Sequence, residues 1–424
     1  MKIKLYDLML SLSNAMDLVA PDLFNHHQQV AYLSYHLGKE MGLNAEESLN
    51  LLLAGIVHDI GSLSLKERLY MVRDELEEIN SHAFRGAALL KKYPPFAPIS
   101  EIIRYHHLSW NNGAGNIHEG KLVPLTSHIL HLADRICVLF TGSKHTLLQL
   151  PEVLETIRED GGARFLPTAV AAVMKLAVKE HIWLELNDKD PLRFLNKNAA
   201  LFALEVDLPQ VLQISEIFSH VIDFRSRFTA THSAGVAHTA RLLGELSGMS
   251  SSECDMLLVA GYLHDLGKIT IDNEILEKPG QLDAREYRII RAHTFYTYRL
   301  LSRVPGFEII AEWAAYHHEK LNGNGYPFHL EEKALSYGAR IMAVADIFTA
   351  ITEKRPYRDG MAREQAVKAM KTMVDNGTIS REIVELLIDN YDLFQKVREE
   401  SQRKAYYAYE EFFHLADEAC LIPS

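Results

Sequence analysis

The sequence predicts an all-α protein built from two tandem helical bundles. Apolar residues recur at helical spacing in both halves, as Val30, Leu33, Leu37 and Met41 and again as Val236, Ala240, Leu243 and Leu246. No stretch shows the sustained period-two alternation of a half-buried strand. The N-terminal half also repeats the C-terminal half. His26 and His232 stand 206 positions apart, and the same offset lays Ala54-Gly55-Ile56-Val57-His58-Asp59-Ile60-Gly61 on Ala260-Gly261-Tyr262-Leu263-His264-Asp265-Leu266-Gly267. His82 matches His293, and His106-His107 matches His317-His318, at an offset of 211; Asp134 matches Asp346 at 212. A period near 200 residues is a domain duplication, since solenoid repeats run to about 20–50 residues.

Taken in order, Leu8 to Ala20 opens the first domain and Ile214 to Arg227 repeats it in the second. The next helix of each domain should stop at Gly42 and at Gly248. The runs Leu49–Val57 and Leu257–Leu263 read as buried helices leading to the two His-Asp pairs. Residues 151–198 resemble the helices that trail the second core at 363–400, so the boundary is expected near residue 200, giving domains 1–200 and 201–424.

Composition excludes several classes. At 424 residues the chain is long enough for two or three domains, and 48% hydrophobic with 24% charged residues is ordinary for a soluble globular protein. A formal net charge of −12 argues against a broad nucleic-acid or anionic-membrane surface, while leaving room for a local basic pocket. Cys137, Cys254 and Cys420 show no paired spacing, which fits a reducing cytoplasm. Asp7, Asn14 and Asp17 interrupt the N-terminal apolar residues, so neither a signal peptide nor a membrane span is expected there.

The chemistry centres on His317-His318-Glu319, followed by Gly323-Asn324-Gly325-Tyr326-Pro327. Neighbouring residues on a helix point about 100° apart. Such a pair can put one imidazole on each of two ions, or one on an ion and one on the rim; the plain alternative is a helix end with surface histidines and an ordinary turn. His232, His264-Asp265, His293 and Asp346 shift the balance. Imidazole and carboxylate donors without a thiolate suit Fe, Mn, Zn or Ni. Five histidines and two aspartates are more than one ion takes, which argues for a binuclear site.

The order His-Asp-x-Gly-Lys (264–268), Lys278-Pro279-Gly280, His-His-Glu…Gly-x-Gly-Tyr-Pro (317–327) and Arg355-Pro356-Tyr357-Arg358 resembles the HD-GYP family of metal-dependent phosphohydrolases, over roughly residues 210–400. The resemblance implies HD-type helical bundles and cleavage of a cyclic dinucleotide, cyclic di-GMP or 3′,3′-cyclic GMP-AMP. It implies two or three divalent metal ions, iron or manganese first and zinc, nickel or cobalt after them. Phe228 stands where a third-metal glutamate would be, which favours two. His232, His264, Asp265 and Asp346 are expected on one ion, and His293, His317 and His318 on the other, with Asp265 shared. Two such ions about 3.5–4 Å apart can share a hydroxide that attacks phosphorus. Asp265 and Lys268 are the expected catalytic residues, because a lysine one turn beyond Asp265 can reach a phosphate oxygen as a point charge. Gly325, Tyr326 and Pro327 should line the substrate pocket, and Arg355 and Arg358 clamp a second phosphate or a guanine edge, surface charge being their plain alternative. A non-catalytic signalling adaptor and a phosphohydrolase of other nucleotides are the competing readings; the complete ligand set and the Gly-Tyr-Pro turn argue against them. Whether the chain pairs with a second copy or with a signalling protein stays open.

The first domain keeps His26, His58, Asp59, His82, His106, His107 and Asp134. Ser62 replaces the lysine, Leu108 the glutamate, and Asn111 to His118 the Gly-Tyr-Pro turn; Lys-Pro-Gly and the arginine pair have no counterpart. The expectation is a degenerate domain that retains a metal cage, loses substrate recognition and serves a structural or regulatory role.

Overall fold

The computed structural model describes residues 1–18, 25–62, 81–140, 145–197, 203–225, 229–278, 280–354 and 359–420. Phe228, Pro279, Arg355 and Arg358 lie outside these residues. The described chain is helical apart from two short two-stranded pairings, β1 (Lys2–Lys4) with β4 (Glu205–Asp207) and β2 (Ile117–His118) with β3 (Lys121–Leu122), so the all-α expectation holds. It forms two compact units, one of residues 4–204 with 412–424, the other of 205–411 with Met1–Ile3. Among the described residues no helix is long and apolar enough to cross a membrane.

In the first unit α1 (Leu5–Asp17) is followed by α2 (His26–Glu40) and α3 (Ala45–Val57). Val30, Leu33 and Leu37 of α2 and Leu51, Leu52 and Ile56 of α3 are fully buried, and each such side chain contributes roughly 1.5–3 kcal/mol of hydrophobic stabilisation. Asn44 starts α3 with a capping box, accepting from Glu47 N at 2.9 Å while its own N–H donates to the Glu47 carboxylate at 2.9 Å. The unit continues with α4 (Ser81–Lys91), α5 (Ala97–Arg104) and α6 (Leu125–Leu139), then α7 (Thr146–Glu159), α8 (Pro167–Leu176) and α9 (Glu180–Leu186).

The second unit repeats this order as α10 (Leu208–Asp223), α11 (His232–Leu246) and α12 (Ser251–Leu263), then a short α13 (Asn273–Leu276), α14 (Ala284–Leu301), α15 (Glu308–Ala315) and α16 (Tyr337–Thr352). Helices α17 (Arg363–Asp375), α18 (Arg381–Asp389) and α19 (Tyr391–Cys420) trail it. Helix α10 begins six residues before the expected Ile214, because Asp207 caps it, accepting from Gln210 N at 3.0 Å, and Leu208 and Val211 extend its buried stripe. Ser250 caps α12 with Glu253 as Asn44 caps α3 with Glu47.

Candidate metal centre

The matched histidines lie at or just beyond helix ends, except His293, which sits inside α14. His26 and His232 open α2 and α11; His58 and His264 cap α3 and α12; His106 and His317 follow the last turns of α5 and α15. Helix ends leave carbonyls without intrahelical partners, and the rings at those ends use them, while His293 turns back onto a carbonyl within its own helix. In the second unit the Nδ1 atoms of His264, His293 and His317 bond to the carbonyls of Gly261 (2.7 Å), Ile290 (2.6 Å) and Ala314 (2.7 Å). In the first, those of His58 and His106 bond to Gly55 (3.0 Å) and Ile103 (2.6 Å). A carbonyl only accepts, so each Nδ1 donates its proton and each Nε2 presents a lone pair.

These lone pairs converge. His293 Nε2 and His317 Nε2 lie 3.4 Å apart, and the Nε2 atoms of His58, His106 and His264 are buried without a hydrogen-bond partner. Electron-rich atoms facing one another in a buried interior fit a cation between them. Three sets of donor atoms in the second unit can hold one: His232, His264 and Asp346; His264, Asp265 and His317; and His293, His317 and His318. The first unit offers His26, His58 and Asp59, and Asp59, His82, His106 and His107.

The aspartates divide their oxygens between neighbouring sets. Asp265 turns Oδ2 to His264 at 3.2 Å and Oδ1 to His293 at 3.3 Å; Asp59 turns Oδ2 to His58 at 3.2 Å and Oδ1 to His82 at 3.2 Å. Burial alone would raise both acids, but the neighbouring His264 and Lys268 hold Asp265 well below the usual carboxylate range, and His58 with His82 does so for Asp59. The following loop can lie this close to the neighbouring helix only because residue 267 has no side chain: a Cβ there would stand 2.0 Å from the His293 carbonyl, and one on Gly61 would stand 2.1 Å from that of His82.

Asp346 faces His232 at 3.1 Å and His318 at 3.7 Å. Asp134 faces His26 at 3.0 Å, but its other oxygen is taken by Arg135 at 2.7 Å. Lys268 is half-buried and its ammonium sits on Asp265 Oδ2, so it neutralises that carboxylate. Buried Arg225 grips the turn that carries it, donating to the carbonyls of Lys268 (3.1 Å), Ile269 (2.8 Å) and Ile271 (3.0 Å).

The Gly-Tyr-Pro turn is held from beneath by Glu319, whose buried carboxylate accepts from Phe328 N at 2.7 Å and Leu330 N at 3.0 Å. Gly325 packs so closely that a Cβ would lie 2.4 Å from Glu319 Cα, so the lack of a side chain lets the turn approach the helix end. Tyr326 and Pro327 are half-buried beside the metal-ligand candidates, with the Tyr326 ring 4.9 Å from that of His318. The guanidinium of Arg291 covers the same ring at 4.6 Å. Arg291, Glu353, Arg225 and Arg135 were not singled out from the sequence. Arg135 alone had a local signal, since it adjoins a matched aspartate; the others act across long stretches of chain.

Residues 11–165 and 216–383 match the model of the HD domain family, one match on each unit. The chain belongs to the HD-GYP family of HD domain proteins. It is 30% identical over 389 residues to the 3′3′-cGAMP-specific phosphodiesterase 1 of Vibrio cholerae, covering 89% of this chain and 90% of that protein. It is 32% identical over 335 residues to phosphodiesterase 3 of the same organism and specificity, covering 76% and 72%. A crystal structure of a cyclic GMP-AMP-specific phosphodiesterase of V. cholerae superposes with a TM-score of 0.64 at 26% identity, over 93% of this chain and 99% of that one. HD domains bind divalent metal, and the His/Asp sets of both units can hold it.

Proposed function

We propose that residues 201–424 form a metal-dependent phosphodiesterase that opens a cyclic dinucleotide, cyclic di-GMP or 3′,3′-cyclic GMP-AMP, and that residues 1–200 form a degenerate partner domain that binds metal without catalysis. The observation that carries this reading is Asp265, with one oxygen toward each of two histidine sets and Lys268 upon it. The names of the V. cholerae relatives support the substrate class.

His232, His264, Asp265 and Asp346 would hold one ion; His293, His317 and His318, with Asp265, the other. Bound divalent ions, iron or manganese by preference, supply an activated water nucleophile and neutralise charge on the phosphate. The chain supplies the rest. The carbonyl-anchored imidazoles keep every Nε2 aimed inward with no reorganisation during reaction. Lys268 leaves Asp265 to meet a phosphate oxygen as the transition state gathers negative charge. Tyr326, fixed between His318 and Arg291, offers an aromatic face to a base, and Arg291 adds positive charge at the rim. The first domain has Ser62 in place of the lysine and Leu108 in place of Glu319, losses confined to substrate-side groups.

Elemental analysis of the full-length protein, paired with turnover of both cyclic dinucleotides, tests this. Asp265→Ala should abolish hydrolysis, and His58→Ala with Asp59→Ala should lower metal content while leaving hydrolysis in place. If activity followed His58 and Asp59 instead, the roles of the domains would be reversed.

A further inference from the structure

The first unit's centre holds a side chain that its counterpart lacks. At the 206-residue offset Asp17 matches Asp223, His27 matches Ser233 and Ser62 matches Lys268. In the second unit Ser233 donates to Asp223 at 3.0 Å, and Lys268 pairs with Asp265 Oδ2. In the first, the aspartate bonds to His27 Nδ1, and the far nitrogen of the same ring, Nε2, lies 3.7 Å from Asp59 Oδ2. That is the oxygen whose equivalent the lysine takes. His27 is 3% exposed, and its ring centre is 5.0 Å from that of His58 and 5.7 Å from that of His26.

An ionised carboxylate only accepts, so Asp17 holds the proton on Nδ1 and leaves Nε2 with a lone pair. This Nε2 has no hydrogen-bond partner, and 3.7 Å is too long for a hydrogen bond to Asp59. A buried nitrogen lone pair therefore faces a carboxylate oxygen across 3.7 Å, a pairing of two electron-rich atoms that suits a cation. The carboxylate behind the ring is the arrangement that orients an imidazole toward a metal. Ser62, buried at 2%, is too short to reach across as Lys268 does.

We propose that His27, backed by Asp17, is a further nitrogen ligand of the first domain's metal centre, at the place that Lys268 occupies in the second. The proposal rests on the reading that the first domain binds metal. It fills with a protein ligand the direction that in the second domain is held by Lys268, the group assigned there to meet substrate. Closed shells are the mark of structural metal sites, open ones of catalytic sites.

The test uses the full-length protein and Co²⁺ as the probe, reading cobalt retained against a chelator and the cobalt absorption band. His27→Ser installs the residue that the second domain carries against its matched aspartate, and His27→Asn keeps a donor for Asp17 without the ring nitrogen. Both should melt like the parent when stripped of metal, and both should release the first domain's cobalt on the order of tenfold more readily, with an altered band. His58→Ala with Asp59→Ala should lose that cobalt altogether. If the double variant loses cobalt while both His27 variants hold it as tightly as the parent with an unchanged band, His27 is no ligand. If the double variant loses none, the metal reading of the first domain falls, and His27 with it.

Discussion

Glu353 stands behind His232, its carboxylate 3.1 Å from Nδ1, while Nε2 of the same ring lies 3.1 Å from Asp346. Glu353 is 4% exposed and also accepts from Gln402 at 3.1 Å. Burial alone would lower His232, but Glu353 and Asp346 together raise it to about 10. The pair is thus a carboxylate–imidazole relay that fixes which nitrogen faces the centre. Glu353→Gln keeps the shape and removes the charge. Chelator competition should show metal affinity in the second domain about 10–100-fold weaker, with Glu353→Ala weaker still. Unchanged affinity in both variants would remove Glu353 from the site.

Lys268 and Asp265 separate metal binding from chemistry. Asp265→Ala removes the carboxylate that faces both His264 and His293, and should cost both metal and activity. Lys268→Ala removes only a charge, so metal content should stay while turnover falls about 10²-fold or more, the cost of losing one transition-state donor. Lys268→Arg should recover part of the loss. A lysine variant that turns over at the parental rate would leave Lys268 with no role beyond its ion pair.

Glu319 separates the turn from the metal. Glu319→Leu, the residue that the first domain carries at the matched place, strips the Phe328 and Leu330 amides of their acceptor. An amide left without its acceptor costs at most about 1–3 kcal/mol, the figure for a fully buried group, and these two are partly buried. The variant should melt earlier and bind substrate more weakly, with little change in metal content measured by elemental analysis. Full substrate affinity in this variant would show that the turn is not what Glu319 supports.

Much of this cluster is legible in the sequence because a duplicated chain prints its candidate ligands twice. The matched spacing pairs His58-Asp59 with His264-Asp265, and the structure gathers both sets of candidate donors. The helix stops at Gly42 and Gly248, and the buried runs before each His-Asp pair, followed from local pattern alone. Glu353 and Arg291 were not legible, since one reaches His232 across 121 positions and the other meets Tyr326 from a different helix. His27 was hidden for another reason. It adjoins His26, and a second histidine at a helix start reads as surface until Asp17 and Asp59 are seen on either side of its ring.

Arg291 offers the sharpest test of which face meets substrate. It lies two residues before His293 on α14, and its guanidinium covers the Tyr326 ring at 4.6 Å while His318 borders that ring at 4.9 Å. Arginine is both a cation over an aromatic face and a fork for a phosphate. Neither role involves the inward-pointing Nε2 atoms. Arg291→Ala should therefore leave metal content unchanged and raise KM several-fold for a cyclic dinucleotide, with a smaller effect on kcat. The salt dependence of KM should also weaken, because one positive charge has left the rim. Arg291→Lys restores the charge without the planar fork and should recover the salt dependence more than KM. Steady-state kinetics at two ionic strengths decide the matter: a KM and salt response equal to the parent's in Arg291→Ala would place the substrate elsewhere than over Tyr326.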